Sequence, residues 1–376
     1  MWNLTKMLAS RHQVDLLSFY EPNISPQEVA ASLQMLRQHC NLVRAVARKP
    51  FSLRPSLADR TIHVEQFDCP EMREALLDMV DQRGYDIVQF DKTEMGQYAL
   101  LRPASVQVLV EHVVFYHAYR RQFLVRGRAS VSHLIDYLKL RRYELDICRS
   151  FDGVITMSGV DARFLRHRLP SHPCIAEIPN GVDTDHYFYA PSMPENHDLL
   201  FIGSFDHSPN VEGLRFFLRE VFPLVKSSVP DARLFIVGPG PYHTVGEVAS
   251  EPSAIATGLV EDTRPHLHGC SVFVAPILAG SGTRLKILEA MSAGIPVVST
   301  SVGIEGIDAL GESHLLVADT PRAFADSVVR LLHSPKLREQ LRSNARSLVE
   351  SSYEWQTIGE RLEGVYRRLL QARNSQ

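Results

Sequence analysis

Short apolar runs rich in β-branched residues alternate with longer amphipathic stretches along almost the whole chain. The runs that predict strands in the first half are Val14–Phe19, Ile62–Phe67, Tyr85–Phe90, Val106–Val110, Gly153–Ser158 and Ile175–Pro179. Those in the second half are Leu199–Gly203, Ala232–Gly238, Ala254–Thr257, Ser271–Ala275, Pro296–Thr300 and Leu315–Ala318. The main helices predicted in the first half are Pro26–Val46, Pro70–Gln82 and Val131–Arg149. Short apolar strands of this kind are buried on both faces, so the order predicts parallel sheets joined by right-handed helical crossovers.

The alternation predicts an α/β fold made of two successive Rossmann-like sheets. We place the first domain at residues 1–180 and the second at 181–352, because Pro179-Asn180-Gly181-Val182 is typical of a turn between domains. The last predicted helix covers residues 353–373. Its apolar positions repeat at intervals of three and four, and they are Trp355, Ile358, Leu362, Val365, Tyr366 and Leu369. Such a stripe needs a surface to cover, in either the second domain or the first.

Composition excludes several classes of protein. With 45% hydrophobic residues and 22% charged residues of both signs, the 376-residue chain is not intrinsically disordered. No run reaches the roughly 18 apolar residues of a membrane-spanning helix, and the N-terminal stretch lacks a signal-peptide core. The five cysteines are odd in number and lack metal-ligand spacing. We therefore expect free thiols, no metal site and a cytoplasmic protein.

Charge is unevenly distributed along the chain. Residues 1–180 carry 23 basic and 20 acidic side chains, whereas the rest carries 17 basic and 23 acidic ones. A mildly basic first half suits an anionic acceptor or peripheral contact with an anionic membrane surface, and it is far below what nucleic-acid binding requires. The segment Tyr116–Arg128 holds four of these cations, Arg120, Arg121, Arg126 and Arg128. This segment is predicted either to bind an anionic acceptor or lipid headgroups, or to form a solvated basic helix.

The densest chemical signal lies between the strand Ser271–Ala275 and a helix predicted to begin near Thr283. The loop Gly280-Ser281-Gly282 lets backbone amides approach a ligand, and the helix N-terminus adds positive partial charge. Arg284 and Lys286 place two cations in the predicted first turn, where they oppose the helix dipole. A bound diphosphate explains these features together, and Glu289, one turn on, would accept hydrogen bonds from ribose hydroxyls. In the alternative interpretation, Arg284 and Lys286 are solvated surface charges and Glu289 is their ion-pair partner.

The stretch Gly280–Gly294 with the following Ile295-Pro296-Val297-Val298 strongly resembles the donor-site signature of GT-B glycosyltransferases of family 4. Further segments carry the same resemblance, namely residues 178–183, 201–204, 208–210, 236–240 and 258–262. The resemblance implies two Rossmann-like domains facing across a cleft, with the C-terminal helix 353–373 crossing back to the first. It implies retaining, metal-independent and cofactor-free transfer of a sugar from a nucleotide-diphosphate donor to a glycan, lipid or other acceptor, in polysaccharide or glycoconjugate biosynthesis.

The same resemblance implies residue roles. Glu289 binds ribose, Arg284 and Lys286 grip the diphosphate as catalytic cations, and the backbone near Val260 holds the base. The remaining donor-site positions are Gly203, Ser204, Asn210, Gly238, Gly280, Ser281, Gly282 and Thr283, and Asn180 borders the cleft. His112, just after the strand Val106–Val110, is the catalytic candidate near the acceptor, with Glu111 as a weaker one. A purely structural histidine is the competing interpretation.

Two features depart from the family pattern. Ser281 stands where the family commonly has a glutamate that contacts the donor sugar, so the identity of the sugar stays open. The basic pair expected after the first strand of the second domain is absent from the loop Ser204–Asn210, and Lys286 with Arg284 could replace its charge.

The N-terminal stretch raises a further expectation. Residues 1–9 resemble the helix that follows the family's first strand and glycine loop, so either the start of the sequence is misassigned or that strand is absent. We expect the activity or stability of the chain as written to be impaired. The alternatives are a GT-B nucleotide-sugar epimerase and a catalytically silent GT-B binding protein. A dehydrogenase is disfavoured, because no G-x-G-x-x-G follows a strand and opens a helix.

Overall fold

A computed structural model of the chain describes residues 2–49, 61–100, 105–120, 131–240, 251–280 and 282–375. Its contacts divide the chain into two compact units. The first comprises Met1–Ile178 and Gly359–Gln376, and the second comprises Pro179–Ile358. Both units are mixed α/β structures with parallel strands.

The first unit alternates helices and strands. Its elements are α1 (Trp2–Ala9), β1 (Asp15–Tyr20), α2 (Pro26–Arg37), β2 (Leu42–Ala47), α3 (Ile62–Glu65), α4 (Pro70–Arg83), β3 (Ile87–Asp91), β4 (Val106–Glu111), α5 (Phe115–Tyr119), α6 (Val131–Arg149), β5 (Gly153–Thr156), α7 (Gly159–Arg168) and β6 (Ile175–Glu177). A 3-10 helix over Thr93–Tyr98 follows β3. Most of the C-terminal helix α14 (Trp355–Asn374) also belongs to this unit, where Leu369 packs against Gly153 of β5.

The strands of the first unit form two sheets rather than the one that the sequence pattern predicts. β1 pairs in parallel with β2, and β3, β4, β5 and β6 form a four-stranded parallel sheet in that order. Side chains connect the two sheets, because the Tyr85 hydroxyl donates to Asp15 Oδ2 at 2.7 Å and the Phe19 and Tyr98 rings lie 6.5 Å apart. The expectation of an absent first strand is not tested by this arrangement and stays a prediction.

Two predicted elements of the first unit are wrong. The helix expected over Pro26–Val46 ends at Arg37, and the β-branched run after it forms β2. A capping box between Ser25 and Glu28 fixes the start of α2, but nothing as strong marks its end in the sequence. The strand expected over Ile62–Phe67 is the short helix α3 instead, since the Thr61 hydroxyl accepts the amide of His63 and turns the chain.

The second unit contains one six-stranded parallel sheet. Its elements are β7 (Asp198–Ile202), α8 (Ser208–Phe216), α9 (Phe222–Ser228), β8 (Arg233–Val237), β9 (Ala254–Gly258), α10 (Arg264–Gly269), β10 (Val272–Ala275), α11 (Leu285–Ser292), β11 (Val297–Ser299), β12 (Leu316–Val317), α12 (Pro321–His333) and α13 (Pro335–Ser352). All six strands lie within one residue of their predicted bounds. Their order across the sheet is β12-β11-β10-β7-β8-β9.

Helices cover both faces of this sheet. On one face α8, α9 and α12 pack around a buried cluster that includes Phe217, Phe222 and Phe324. On the other face α11 and α13 pack around a cluster that includes Phe273 and Met291. Burial on both sides explains why the strands are apolar without alternation.

Glycines let the loops after β7 and β8 approach each other closely. Gly238 has φ +139°, and a Cβ there would lie 2.1 Å from the backbone oxygen of Gly203. The Gly203 amide in turn donates to the oxygen of Val237 at 2.9 Å. Neither contact leaves room for a side chain at position 238, so backbone geometry requires this glycine.

We therefore expect Gly238→Ala to destabilise the second unit, because the methyl group meets backbone at a strained φ. The expected loss is about 2 kcal/mol or more, measured as a lowered midpoint in urea and thermal unfolding. Gly269→Ala is the matched control, since no atom lies within 4 Å of its added Cβ. Equal stability of the two variants would contradict this assignment.

Candidate functional site

The strand order of the second unit defines where a ligand is expected. The chain runs from β7 outward through β8 and β9, and then returns to place β10 on the other side of β7. The order therefore reverses between β7 and β10. Open parallel sheets bind ligands at the carboxyl ends of their strands at such a reversal.

The loop after β7 forms one side of this position. Gly203 and Ser204 follow the strand directly, and α8 begins four residues later. Asn210 lies in the first turn of α8, is 7% exposed, and donates its side-chain amide to the backbone oxygen of Ser204 at 2.8 Å. The loop is thus pinned to the helix that follows it.

The loop after β10 forms the other side. Gly280 and Gly282 have φ of +118° and +81°, which glycine adopts without steric cost. The helix α11 begins at Leu285 rather than near Thr283, so Arg284 lies just before the helix and only Lys286 lies in its first turn. The Arg284 guanidinium donates to the backbone oxygen of Gly282. Ser281 lies outside the described residues.

Lys286 joins the two loops. Its Nζ donates to Asn210 Oδ1 at 2.8 Å and lies 5.2 Å from the centre of the Phe201 ring. Gly203 makes room for this contact, because a Cβ there would lie 2.8 Å from the Asn210 amide and 3.0 Å from Nζ. In the part of the chain that the structure describes, no carboxylate lies within 4.0 Å of the ammonium.

The electrostatics of this position favour an anion. Burial, reinforced by the nearby charge of Arg284, lowers the pKa of Lys286 to about 8. The pKa of His207 is also lowered, first by burial and then by Lys286 and Arg284. A neutral amide oxygen satisfies only one of the three ammonium donors. A diphosphate supplies both the negative charge and the remaining acceptors.

Glu289 lies one turn along α11 from Lys286. Burial raises the pKa of its carboxyl, whereas a hydrogen bond from the Tyr187 side chain and the charge of Lys286 act in the opposite direction. Tyr187 was not predicted from the sequence, because no motif marks the segment between the predicted domain boundary and the first strand of the second domain. Its backbone oxygen accepts from Ser292 at 2.8 Å, which holds the tyrosine against α11.

The other predicted donor-site residues lie in different surroundings. Gly238 follows β8 at the same sheet edge, and Val260 follows β9 and packs against the apolar cluster below. Thr283 is half-buried in the loop that carries the glycines. Asn180 lies on the segment whose Val182 pairs with Tyr353 and whose Gly181 packs against Trp355. The backbone over residues 178–181 forms no helix, strand or turn, so the turn predicted at Asn180 is not observed.

The first unit brings His112 against an aspartate. His112 Nε2 lies 2.9 Å from Asp91 Oδ1, and both side chains are less than one-third exposed. Asp91 ends β3, and His112 directly follows the neighbouring strand β4. Lys92, between Asp91 and the 3-10 helix, has φ +81°, a strained value for a non-glycine residue. Strain of this kind persists only where the surrounding contacts enforce it.

Those contacts come from buried acids. Thr93 donates to Glu111, and Glu144 accepts the backbone amides of Phe115 and Tyr116 at 2.7 and 2.9 Å. Burial raises the pKa of both Glu111 and Glu144. Glu111 is fully buried, so it supports the loop rather than facing a substrate.

The basic segment Tyr116–Arg128 is only partly described. Tyr116 is buried in the core of the first unit and Arg120 is exposed, while Arg121, Arg126 and Arg128 lie outside the described residues. Among described residues no group of three or more His, Cys, Asp or Glu is placed to hold a metal ion. None of the described helices is long and apolar enough to cross a membrane.

Two protein families match the chain over most of its length. The family described as Glycosyltransferase Family 4 matches residues 1–186, and Glycosyl transferases group 1 matches residues 196–334. A phosphatidyl-myo-inositol mannosyltransferase from Mycobacterium leprae is 29% identical over 231 residues, which cover 57% of this chain and 58% of that enzyme.

Two solved structures share the fold. Sucrose-phosphate synthase from Thermosynechococcus elongatus matches with a TM-score of 0.73 and 20% identity, over 98% of this chain and 92% of that one. HepE from Anabaena, solved in complex with UDP and glucose, matches with a TM-score of 0.65 and 14% identity, over 95% of this chain and 100% of that one.

The pKa of Lys286 generates a prediction for anion binding. The protonated ammonium attracts a diphosphate and the neutral amine does not, so affinity is expected to fall as the pH rises through about 8. His207 has a lowered pKa and stays neutral over this range. Calorimetry with UDP and GDP between about pH 7 and 9 should show a roughly tenfold weakening. Lys286→Met should bind weakly at every pH, whereas a pH-independent wild type would contradict the prediction.

Proposed function

Because the chain belongs to the family 4, group 1 glycosyltransferases and has their GT-B fold, we propose that it transfers a sugar from a nucleoside diphosphate donor to a glycan, lipid or other acceptor. In this proposal the anomeric configuration is retained and neither a metal ion nor a cofactor takes part. The observation that carries the proposal is the buried Lys286 ammonium, held beside Arg284 at the strand reversal of the second unit.

Charge development at the leaving group explains the use of these cations. When the bond between the sugar and the diphosphate breaks, negative charge accumulates on the diphosphate. Lys286 and Arg284 are fixed in place before the reaction, so they stabilise that charge without reorganisation. Protein cations thereby perform the task that a bound magnesium ion performs in other transferases.

Glu289 is proposed to bind the ribose. A half-buried carboxylate accepts two hydrogen bonds from vicinal hydroxyls, and these bonds would favour its charged form against the effect of burial. The hydrogen bond from Tyr187 orients the carboxylate. Val260, with the backbone beside it, is assigned to the base, and Gly280, Gly282 and Thr283 line the diphosphate.

The relatives support the two substrate classes. HepE was solved with UDP and glucose, and the mycobacterial relative is by name a mannosyltransferase of phosphatidyl-myo-inositol. We carry over only the chemical classes, a nucleotide-sugar donor and a glycan or lipid-linked acceptor. We further propose that the protein acts in the cytoplasm with peripheral contact to the inner membrane face.

A donor screen tests this proposal. Thermal shift and calorimetry with UDP-, GDP-, ADP- and TDP-sugars should identify one tight-binding nucleotide class. Glu289→Gln should weaken that binding about 10- to 100-fold, because a charged hydrogen-bond acceptor is lost. Glu312→Gln is the matched control, since it breaks only an exposed ion pair with Arg330.

The outcomes separate the alternatives. Transfer to an acceptor that persists in EDTA and gives the donor's anomeric configuration by NMR supports the proposal. Consumption of donor without acceptor and with a changed sugar would indicate an epimerase, and binding without turnover would indicate a silent binding protein. Absence of binding by every nucleotide-sugar would remove the proposal altogether.

The acceptor side generates a second prediction. We assign Asp91 the role of orienting His112, so Asp91→Asn should lower turnover about 10- to 100-fold by misplacing the imidazole. Donor affinity, measured by calorimetry, should not change. Asp231→Asn is the matched control, because Asp231 makes a similar 2.9 Å contact with His197 on an exposed surface of the second unit. Equal turnover of both variants would leave His112 with a structural role.

A further inference from the structure

Arg346, on α13, holds several main-chain oxygens with a single nitrogen. Its Nη1 lies 3.2, 3.0 and 2.8 Å from the backbone oxygens of Thr184, Tyr187 and Ser292. The same nitrogen lies 3.1 Å from Ser292 Oγ, and only 17% of the Arg346 side chain is exposed. Its Nε donates to Glu350, whose side chain is half exposed, and such a pair adds little to stability. The buried end of this arginine therefore serves to fix backbone positions.

These contacts join two segments of the second unit. Ser292 ends α11, the helix that carries Glu289, whereas Tyr187 belongs to the turn at residues 184–187. The buried Ser292 hydroxyl also donates to the backbone oxygen of Tyr187, at 2.8 Å. A cation near the last carbonyls of a helix is favoured by the helix dipole. The Tyr187 backbone is thus fixed against the end of α11 by two donors, Arg346 and Ser292.

The Tyr187 side chain contacts two further parts of the site. Burial, followed by the charge of Glu289, raises the pKa of its hydroxyl to about 12, so the group stays protonated at neutral pH. The hydroxyl donates to Glu289 and accepts from Thr263, in the loop between β9 and α10. The ring packs against the same apolar cluster as Val260. Tyr187 thereby connects the carboxylate proposed to bind ribose with the loop proposed to bind the base.

A carboxylate that is already oriented binds a diol better than a mobile one. A glutamate side chain loses rotamer entropy when a ligand orders it, and a hydrogen bond that holds one rotamer beforehand removes this cost. The bond from Tyr187 occupies one acceptor position of Glu289 and leaves others for hydroxyl donors. A nucleotide without ribose hydroxyls gains nothing from this orientation. The contribution of Tyr187 to binding is therefore expected to depend on the ribose.

We propose that the Tyr187 hydroxyl fixes the Glu289 carboxylate for the ribose hydroxyls of a nucleoside diphosphate, and that Arg346 is a positioning residue that acts through Tyr187. The inference rests on the proposed function and deepens it, because it names the residues that make the site select nucleotides with an intact ribose. A ligand without the hydroxyls leaves the oriented carboxylate short of donors, which lowers its affinity.

Calorimetry with UDP, GDP and ADP, each beside its 2′,3′-dideoxy form, tests the role of Tyr187. Wild type should bind the preferred ribonucleotide at least about tenfold more tightly than its dideoxy form. Tyr187→Phe removes a single hydroxyl and should weaken the ribonucleotide by about tenfold while leaving the dideoxy form nearly unchanged. If the ring served only to pack, both forms would weaken alike or neither would change, and either result would overturn the proposal.

A double-mutant cycle tests the role of Arg346. Arg346→Met should weaken the ribonucleotide, Arg346→Lys should restore part of the affinity, and Arg346→Met should add little in the Tyr187→Phe background. Arg342→Met is the matched control. Arg342 is also buried on α13, donates to the backbone oxygen of Ala190 and lies 4.1 Å from the centre of the Tyr189 ring. Its loss should lower the thermal unfolding midpoint and leave the preference for ribonucleotide intact.

The contrary outcomes separate this inference from the proposed function. Additive losses in the cycle, or an equal change of preference in the Arg342→Met control, would overturn the role of Arg346. Unchanged ribonucleotide affinity in Tyr187→Phe, together with weakened affinity in Glu289→Gln, would overturn the role of Tyr187 and leave the proposed function standing. If no nucleotide binds to wild type, both proposals fall.

Discussion

The arrangement of the second unit depends on one ammonium group held largely out of water, that of Lys286. Its Nζ donates to Asn210 and lies over the Phe201 ring, while the charge of Glu289, one turn along α11, acts against the effect of burial without a direct ion pair. Gly203 has no side chain because Lys286 and Asn210 occupy that space. Gly238 in turn keeps the Gly203 backbone in place from the neighbouring strand. A cation desolvated in this way is explained by an anionic ligand better than by stability.

This contact also bears on one departure of the sequence from its family. The loop Ser204–Asn210 lacks the basic pair that the resemblance leads one to expect, and charge enters the same loop from α11 instead. The cation is thus supplied across the strand reversal, by a residue 76 positions further along the chain. Because a diphosphate responds to the position of charge and not to its origin in the chain, the function that we propose does not require a basic pair in that loop.

The sequence predicted the second unit better than the first, for physical reasons. Strands buried on both faces have an apolar pattern that turn residues delimit clearly, so β7 to β12 were located within one residue. The helix over Pro26–Val46 was overextended because no glycine or proline marks its end at Arg37. The spacing of Lys286 and Glu289 in the sequence also predicts a role for both in the donor site, and that assignment stays a prediction. The sequence did not reveal the contact of Lys286 with Asn210 or of Tyr187 with Glu289, since both pairs meet only after the sheet has formed.

In the first unit, buried acidic side chains rather than cations help to fix the positions of the loop residues around Asp91 and His112. Thr93 donates to Glu111 and the Lys92 amide donates to the oxygen of Val110 at 2.9 Å, so hydrogen bonds on Lys92 and its neighbour hold the chain at its strained φ. Glu144, which accepts the amides of Phe115 and Tyr116, fixes the start of α5. Burial favours the neutral form of both acids, which removes the repulsion that two adjacent carboxylates would otherwise create. Asp91 therefore meets His112 with little freedom to rotate away. A histidine that served only to fill space would not need its partner held by a strained residue, which favours a functional role for this pair.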